Sequence, residues 1–245
     1  MIRVILSGAA GRMGRILARK IEESDAYALA GCVDPYGEAM AASLEDCTAD
    51  ADVVIDFSSH DGTEALLDTA VSRNLPVVLC TTGHTEEERA KIRAASEKIP
   101  VFYSSNMSLG VAILNRLVQQ VAAQFSGDAE IVEIHHNRKK DAPSGTALSL
   151  AKSIQAARPE AEIVTGRSGM QPRKAGEIGI QSVRMGNIVG IHEVMFGTDT
   201  ETITLKHEAH DRAVFADGAL YAAEFLVGQP AGLYDMNDYL DAAGI

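Results

Sequence analysis

The chain has 245 residues, 46% of them hydrophobic and 23% charged, with 34 acidic against 22 basic side chains and a formal net charge of -12. This length suits one large domain or two small ones, and so balanced a composition excludes disordered and fibrous classes. An acidic surface repels phosphate backbones and anionic headgroups, so neither nucleic acid nor a membrane is an expected partner.

The first residues, 1–6, form a short apolar run that meets a glycine-rich turn at once, with no charged lead-in and no cleavage site. No apolar stretch approaches the roughly 20 residues that span a bilayer. Cys32, Cys47 and Cys80 are scattered and odd in number. They make no CxxC pair and no disulfide framework, and are expected as small core residues in a reducing compartment. The expected location is cytoplasmic.

Up to about Tyr103 the chain alternates strand and helix. Apolar runs at 2–6, 27–33, 53–57, 77–80 and 101–103 read as strands. Residues 15–23 carry Ile16, Leu17 and Ile21 at helical spacing, and Thr85 with Glu88 forms a capping-box pattern. Such alternation predicts a parallel sheet with helices on both faces. Beyond Asn106 the pattern changes. A helix is expected over 109–121, a strand over 130–136, and three further strands over 178–184, 189–195 and 200–207. Successive strands without helices between them predict an open, mixed or mostly antiparallel sheet. A helix returns over 216–226, and a short acidic one follows over 235–240. The fold class is therefore α/β, a Rossmann-like dinucleotide-binding domain followed by an α+β domain.

The first strand runs into Gly8, Ala9, Ala10, Gly11, Arg12, Met13 and Gly14. Glycines at these spacings permit a tight turn and close backbone approach to a pyrophosphate, which the helix N-terminus then holds. Asp34 stands twenty residues beyond Gly14 at the end of the second strand, where an acid can hold the adenosine ribose hydroxyls. The spacing is GxxGxxG rather than GxGxxG. Flavin and S-adenosylmethionine proteins share such turns, so the motif alone does not single out nicotinamide. Two loops at carboxyl ends of strands, Cys80, Thr81, Thr82 with Gly83, and Ser104, Ser105, Asn106 and Met107, are placed to meet ribose and nicotinamide.

The most informative stretch is Glu133-Ile134-His135-His136-Asn137-Arg138-Lys139-Lys140-Asp141-Ala142-Pro143-Ser144-Gly145-Thr146. It packs proton donors between a strand end and a helix start, and that helix N-terminus is an anion site suited to a carboxylate. Hydride addition to a conjugated or protonated C=N leaves negative charge for a proton to quench. A His or Lys can supply that proton, typically for about 10²–10⁴ in rate. A metal site is not expected, because His135 and His136 point to opposite faces of a strand and no Cys lies near. His207 and His210 read as surface or interface residues.

These motifs, together with Ser105-Asn106-Met107-Ser108, Val183-Arg184 and Gly190-Ile191-His192-Glu193, resemble the dihydrodipicolinate reductase family over essentially the whole chain. The K-x-D-A-P-S-G-T element carries the resemblance furthest. It implies reduction of a small, anionic, cyclic dicarboxylate imine to tetrahydrodipicolinate in lysine and diaminopimelate biosynthesis, with NADH or NADPH as hydride donor. By motif position, His135 is the proton donor and Lys139 its partner, while His136, Gly145 and Thr146 bind substrate carboxylates. The resemblance also implies a homotetramer assembled through the second domain's sheet, and a dinucleotide domain over 1–106 and 217–245 around a substrate domain over 107–216. Many members carry Arg after the ribose-binding acid, but here Pro35 follows Asp34, which predicts a preference for NADH. Arg12 keeps NADPH in play. Cys80 stands where Gly is more usual. The rival readings are another NAD(P)-dependent amino- or imino-acid dehydrogenase and a non-catalytic dinucleotide sensor.

Overall fold

A computed structural model describes residues 1–245. In chain order the elements are β1 (Ile2–Ser7), α1 (Arg12–Glu22), β2 (Tyr27–Val33), β3 (Val53–Asp56), a 3-10 turn (His60–Gly62), α2 (Thr63–Ser72), β4 (Val77–Leu79), α3 (Glu86–Ser96) and β5 (Pro100–Tyr103). There follow α4 (Leu109–Gln124), β6 (Asp128–His135), α5 (Gly145–Ala157), β7 (Glu162–Thr165), β8 (Glu177–Arg184), β9 (Gly190–Gly197) and β10 (Thr202–Ala209). The chain closes with α6 (Ala213–Leu226), β11 (Gly232–Tyr234) and α7 (Met236–Ala242). It forms two compact units, Met1–Ser108 with Ala213–Ile245, and Leu109–Arg212.

The first unit holds a six-stranded sheet in the order β11-β5-β4-β3-β1-β2, parallel throughout. β3 and β4 are buried at every residue, as strands covered on both faces must be. α1 buries Gly14, Leu17 and Ile21, one stripe at helical spacing, and Thr85 completes the expected capping box on α3. From β1 the chain goes first to β2 on one side and then to β3 on the other. This reversal of direction opens a crevice at the carboxyl ends of β1 and β3. β11, three residues beside β5, carries too little pattern to be read beforehand.

The second unit holds the sheet β10-β9-β6-β8-β7. β10 with β9 and β9 with β6 run antiparallel, whereas β6 with β8 and β8 with β7 run parallel. The sheet is thus mixed, the first of the two forms expected, with two antiparallel and two parallel pairs. The reason is topological: α5, whose start the sequence marks, and the short β7, which it does not, lie between β6 and β8, and a crossover of that length returns the chain parallel. Ile131, Ile178, Ile180, Val194 and Phe196 on one sheet face pack with Leu114 and Val118 of α4 and Leu150 and Ile154 of α5.

One smaller expectation also changes, that of Cys32, while the surface or interface reading of His207 and His210 is not contradicted. Cys47 and Cys80 are buried but Cys32 is only half-buried, on a strand flanked by partly exposed residues. His207 is half-buried and lies opposite His192 in the β9–β10 ladder, while His210 is exposed. No helix is long and apolar enough to cross a membrane.

Candidate active site

The glycine turn sits at the crevice of the parallel sheet. Gly8 has φ +76, and a Cβ there would lie 2.6 Å from the Phe57 carbonyl oxygen at the end of β3. A Cβ on Gly14 would lie 2.7 Å from Ala9 Cα, so α1 starts against its own turn only because that residue is Gly. Gly11 caps α1 without a side-chain hydrogen bond, and no acid stands in its first turn. Gly11 and Arg12 are exposed, leaving this helix N-terminus open to an anion. Asp34 is buried just after β2. Its Oδ2 accepts from Ala10 N at 3.0 Å and its Oδ1 from Tyr36 N at 2.9 Å. A dinucleotide fits this cradle: backbone for its pyrophosphate, carboxylate for its ribose.

The two polar loops differ in reach. Thr82, Gly83 and Ser105 are exposed, whereas Cys80, Thr81 and Met107 are buried. Burial pushes the Cys80 thiol well above its ordinary pKa, with Asp56 adding to the effect. Thr81 Oγ1 donates to Asp56 Oδ2 at 2.6 Å, fixing the loop to the end of β3. Beneath it, buried His84 joins Thr63 Oγ1 at 2.9 Å and the Tyr103 hydroxyl at 3.2 Å. Ser104 Oγ donates to the Asn106 carbonyl at 2.8 Å, and Gly218 of α6 packs against the Met107 carbonyl, where any side chain would collide.

In the second unit, β6 carries Glu133 and His135 on the same face. His135 is buried, and its Nδ1 lies 2.5 Å from Glu133 Oε2. Glu133 is fully buried and also accepts from Arg184 Nη1 and Nη2 at 2.8 and 2.7 Å and from Ser144 N at 3.1 Å. Burial alone would push the Glu133 carboxyl up, but hydrogen bonds from His135, Arg184 and Ser182 outweigh it and hold the group far below the carboxylate range. Ser144 caps α5 by accepting from Ala147 N at 3.1 Å, and its Oγ meets His192 Nε2 at 3.1 Å. No acid stands in the first turn of α5, Gly145 is exposed, and a Cβ there would meet nothing within 4 Å. Space for an anion therefore opens at this N-terminus. Lys139 Nζ pairs with Asp141 at 2.8 Å, and Lys139 N donates to the His136 carbonyl. Burial lowers the pKa of His136, and the nearby cations Arg138, Arg212 and Lys139 lower it further.

The comparisons with known proteins bear on the same residues. A family model described as "Dihydrodipicolinate reductase, N-terminus" matches residues 2–107, and one described as "Dihydrodipicolinate reductase, C-terminus" matches residues 110–240. The chain belongs to the dihydrodipicolinate reductase family. A 4-hydroxy-tetrahydrodipicolinate reductase of Caldanaerobacter subterraneus subsp. tengcongensis is 46% identical over 97% of this chain and 98% of its own. One from Clostridium novyi is 41% identical over 98% of each. Among solved structures, a dipicolinate-bound dihydrodipicolinate reductase from Paenisporosarcina sp. TG-14 superposes with TM-score 0.83 and 25% identity, covering 97% of this chain and 99% of that one. With its family, this reductase is an NAD(P)H-dependent oxidoreductase.

In this reductase the predicted residues collect in two places. The glycine turn and Asp34 meet at the crevice of the first sheet, while His135 and Ser144, the residue before Gly145, are tied together in the second unit through Glu133. Glu133, Arg184 and His192 were not singled out as site residues. Glu133 had a signal, since it stands two residues before His135 and must share its face of the strand. Arg184 and His192 stood in motifs of the family resemblance, but the place of Arg184 needed the parallel register that sets it opposite His135. His60, Asp61 and Glu88 also offer ligand atoms within 4.8 Å of one another, but Glu88 is committed to the α3 cap and to His60.

Proposed function

We propose that this chain reduces 4-hydroxy-tetrahydrodipicolinate, by way of its dehydrated conjugated imine, to tetrahydrodipicolinate, within lysine and diaminopimelate biosynthesis in the cytoplasm. One observation carries the reading: a single buried carboxylate, Glu133, ties the ring of His135 to the N-terminus of α5. Proton donor and anion site are thereby held in one rigid frame. When bound, the reduced nicotinamide supplies the hydride.

The chain's own residues do the rest. Gly8, Ala9, Ala10, Gly11, Arg12 and Met13 hold the pyrophosphate on backbone N–H groups, and Asp34 takes the ribose hydroxyls. Thr81 and Thr82, the backbone at Cys80, and Ser104, Ser105, Asn106 and Met107 frame the nicotinamide. Gly145 and Thr146 bind one substrate carboxylate at the start of α5, with His136 as a further donor. His135 gives its proton to the ring atom left anionic by hydride addition. Lys139, released from Asp141, steadies the second carboxylate and assists that transfer. Hydride and proton together add two electrons and two hydrogens to the ring, and the hydroxyl leaves as water. NADH is the preferred donor, because the Asp34 carboxylate with Pro35 behind it is unfavourable for a 2′-phosphate. The second unit is the substrate domain and assembles four chains through its sheet.

The test follows loss of NADH absorbance with freshly formed substrate, in wild type, His135→Ala and Lys139→Ala. Rapid turnover is expected in wild type, with a loss of about 10²-fold or more in each variant and unchanged NADH affinity. A wild type that binds NADH but does not turn over would reject the substrate.

A further inference from the structure

We infer that Glu133 and Arg184 are positioning residues that choose which nitrogen of His135 delivers the proton and how readily it does so. The inference rests on the proposed reaction for its kinetic arm, and on geometry alone for the rest.

Five donors converge on the Glu133 carboxylate, the Ser182 hydroxyl among them. Oε1 takes Arg184 Nη2 and Ser144 N, and Oε2 takes Arg184 Nη1 and His135 Nδ1. A carboxylate has about four acceptor sites, so this one is saturated and has no room for a proton of its own. His135 Nδ1 must then be the donor to Oε2 in both charge states of the ring, and Nε2 is the atom that gains and loses the catalytic proton. Space is kept on that side: a Cβ on Gly190 would stand 3.1 Å from Nε2, and glycine removes it.

The fork of Arg184 has a second consequence. It shares the carboxylate's charge, so Glu133 holds the imidazolium less tightly than a lone buried carboxylate would. The remaining groups facing the ring are few. His192 of β9 stacks edge-on at 5.1 Å and is kept neutral by burial, Lys139 and His136 belong to the loop after β6, and Asp141 is paired with Lys139. Of the charged groups among them and Arg184, only Arg184 is bonded to the carboxylate that the ring is bonded to.

The two residues therefore act in opposite directions, which a scaffold role would not produce. Glu133→Gln removes the anion, and the high-pH limb of kcat/KM is expected to move down by about one pH unit with kcat lowered and KM little changed. Arg184→Met leaves the carboxylate uncompensated, and the limb is expected to move up; Arg184→Lys should bring it back toward wild type. Nuclear magnetic resonance of 15N-labelled imidazoles decides the same point without substrate. Neutral His135 in the wild type should carry its proton on Nδ1. A wild-type ring protonated on Nε2, or two variants that shift the same way or not at all, would overturn the inference. Because the tautomer is read in the wild type, a misfolded variant does not shield it. A wild type that shows the Nδ1 tautomer yet reduces no substrate would sink the proposed reaction and leave this inference standing.

Discussion

His192 is 4% exposed and uses one ring nitrogen on Ser144, while its Nδ1 finds no partner. Burial, aided by the charge of His135, pushes its pKa down from 6.5 to about 4. The folded state then binds fewer protons than the unfolded state between those values. Stability from this residue is complete above pH 6.5 and is lost as pH falls toward 4, about 3 kcal/mol at full extent. Thermal melts should show a falling Tm over that window, and His192→Gln should flatten it. An unchanged slope would mean that His192 is protonated in the fold. The proposed preference for NADH turns on Asp34 at the same scale. Wild type is expected to favour NADH over NADPH by about tenfold in kcat/KM, ~1.4 kcal/mol, and Asp34→Ser should narrow the gap. A clear NADPH preference would refute this.

Among elements, α1 and α5 have parallel roles in the proposed reaction: each starts beside a glycine, lacks acids in its first turn, and has N–H groups at its start for the proposed anion. They differ in how they are anchored. α5 is held by the Ser144 cap and by Glu133, whereas α1 depends on the absence of side chains at Gly8 and Gly14. Gly14→Ala should therefore push α1 away from its turn. An overpacking cost of about 1–3 kcal/mol is expected in a denaturant melt, together with at least tenfold weaker NADH binding by fluorescence titration. Ordinary stability and NADH affinity in that variant would mean that the turn yields easily.

At the scale of the molecule, one face of the five-stranded sheet packs on α4 and α5. The other carries Val132, Ile134, Val183 and Met195, all at least partly exposed. Together with the edge strand β10, this face is where the proposed tetramer would assemble. Sedimentation should give about four times the 26.1 kDa chain mass, and Ile134→Asp should release smaller species. A monomeric wild type would dismiss the tetramer.

Local chemistry was legible in the sequence. The GxxGxxG turn, the Thr85 cap, the Ser144 helix start and the pairing of His135 with an anion site all rest on spacings of a few residues, which a strand or helix period converts directly into geometry. What needed the folded chain were contacts between residues far apart. Arg184 reaches Glu133 across 51 positions, and His192 reaches Ser144 across 48. The first depends on the parallel register of β6 and β8, which the crossover through α5 and β7 imposes, and the second on the antiparallel register of β6 and β9. Short edge elements such as β7 and β11 owe their conformation to the strands beside them rather than to their own pattern. The glycine turn, His135 and the start of α5 were thus readable from short spacings, while the hydrogen bonds that keep the buried Glu133 anionic and the burial that keeps His192 neutral belong to the tertiary structure. Dehydration and partner choice are properties of the packed sheet, not of any segment within it.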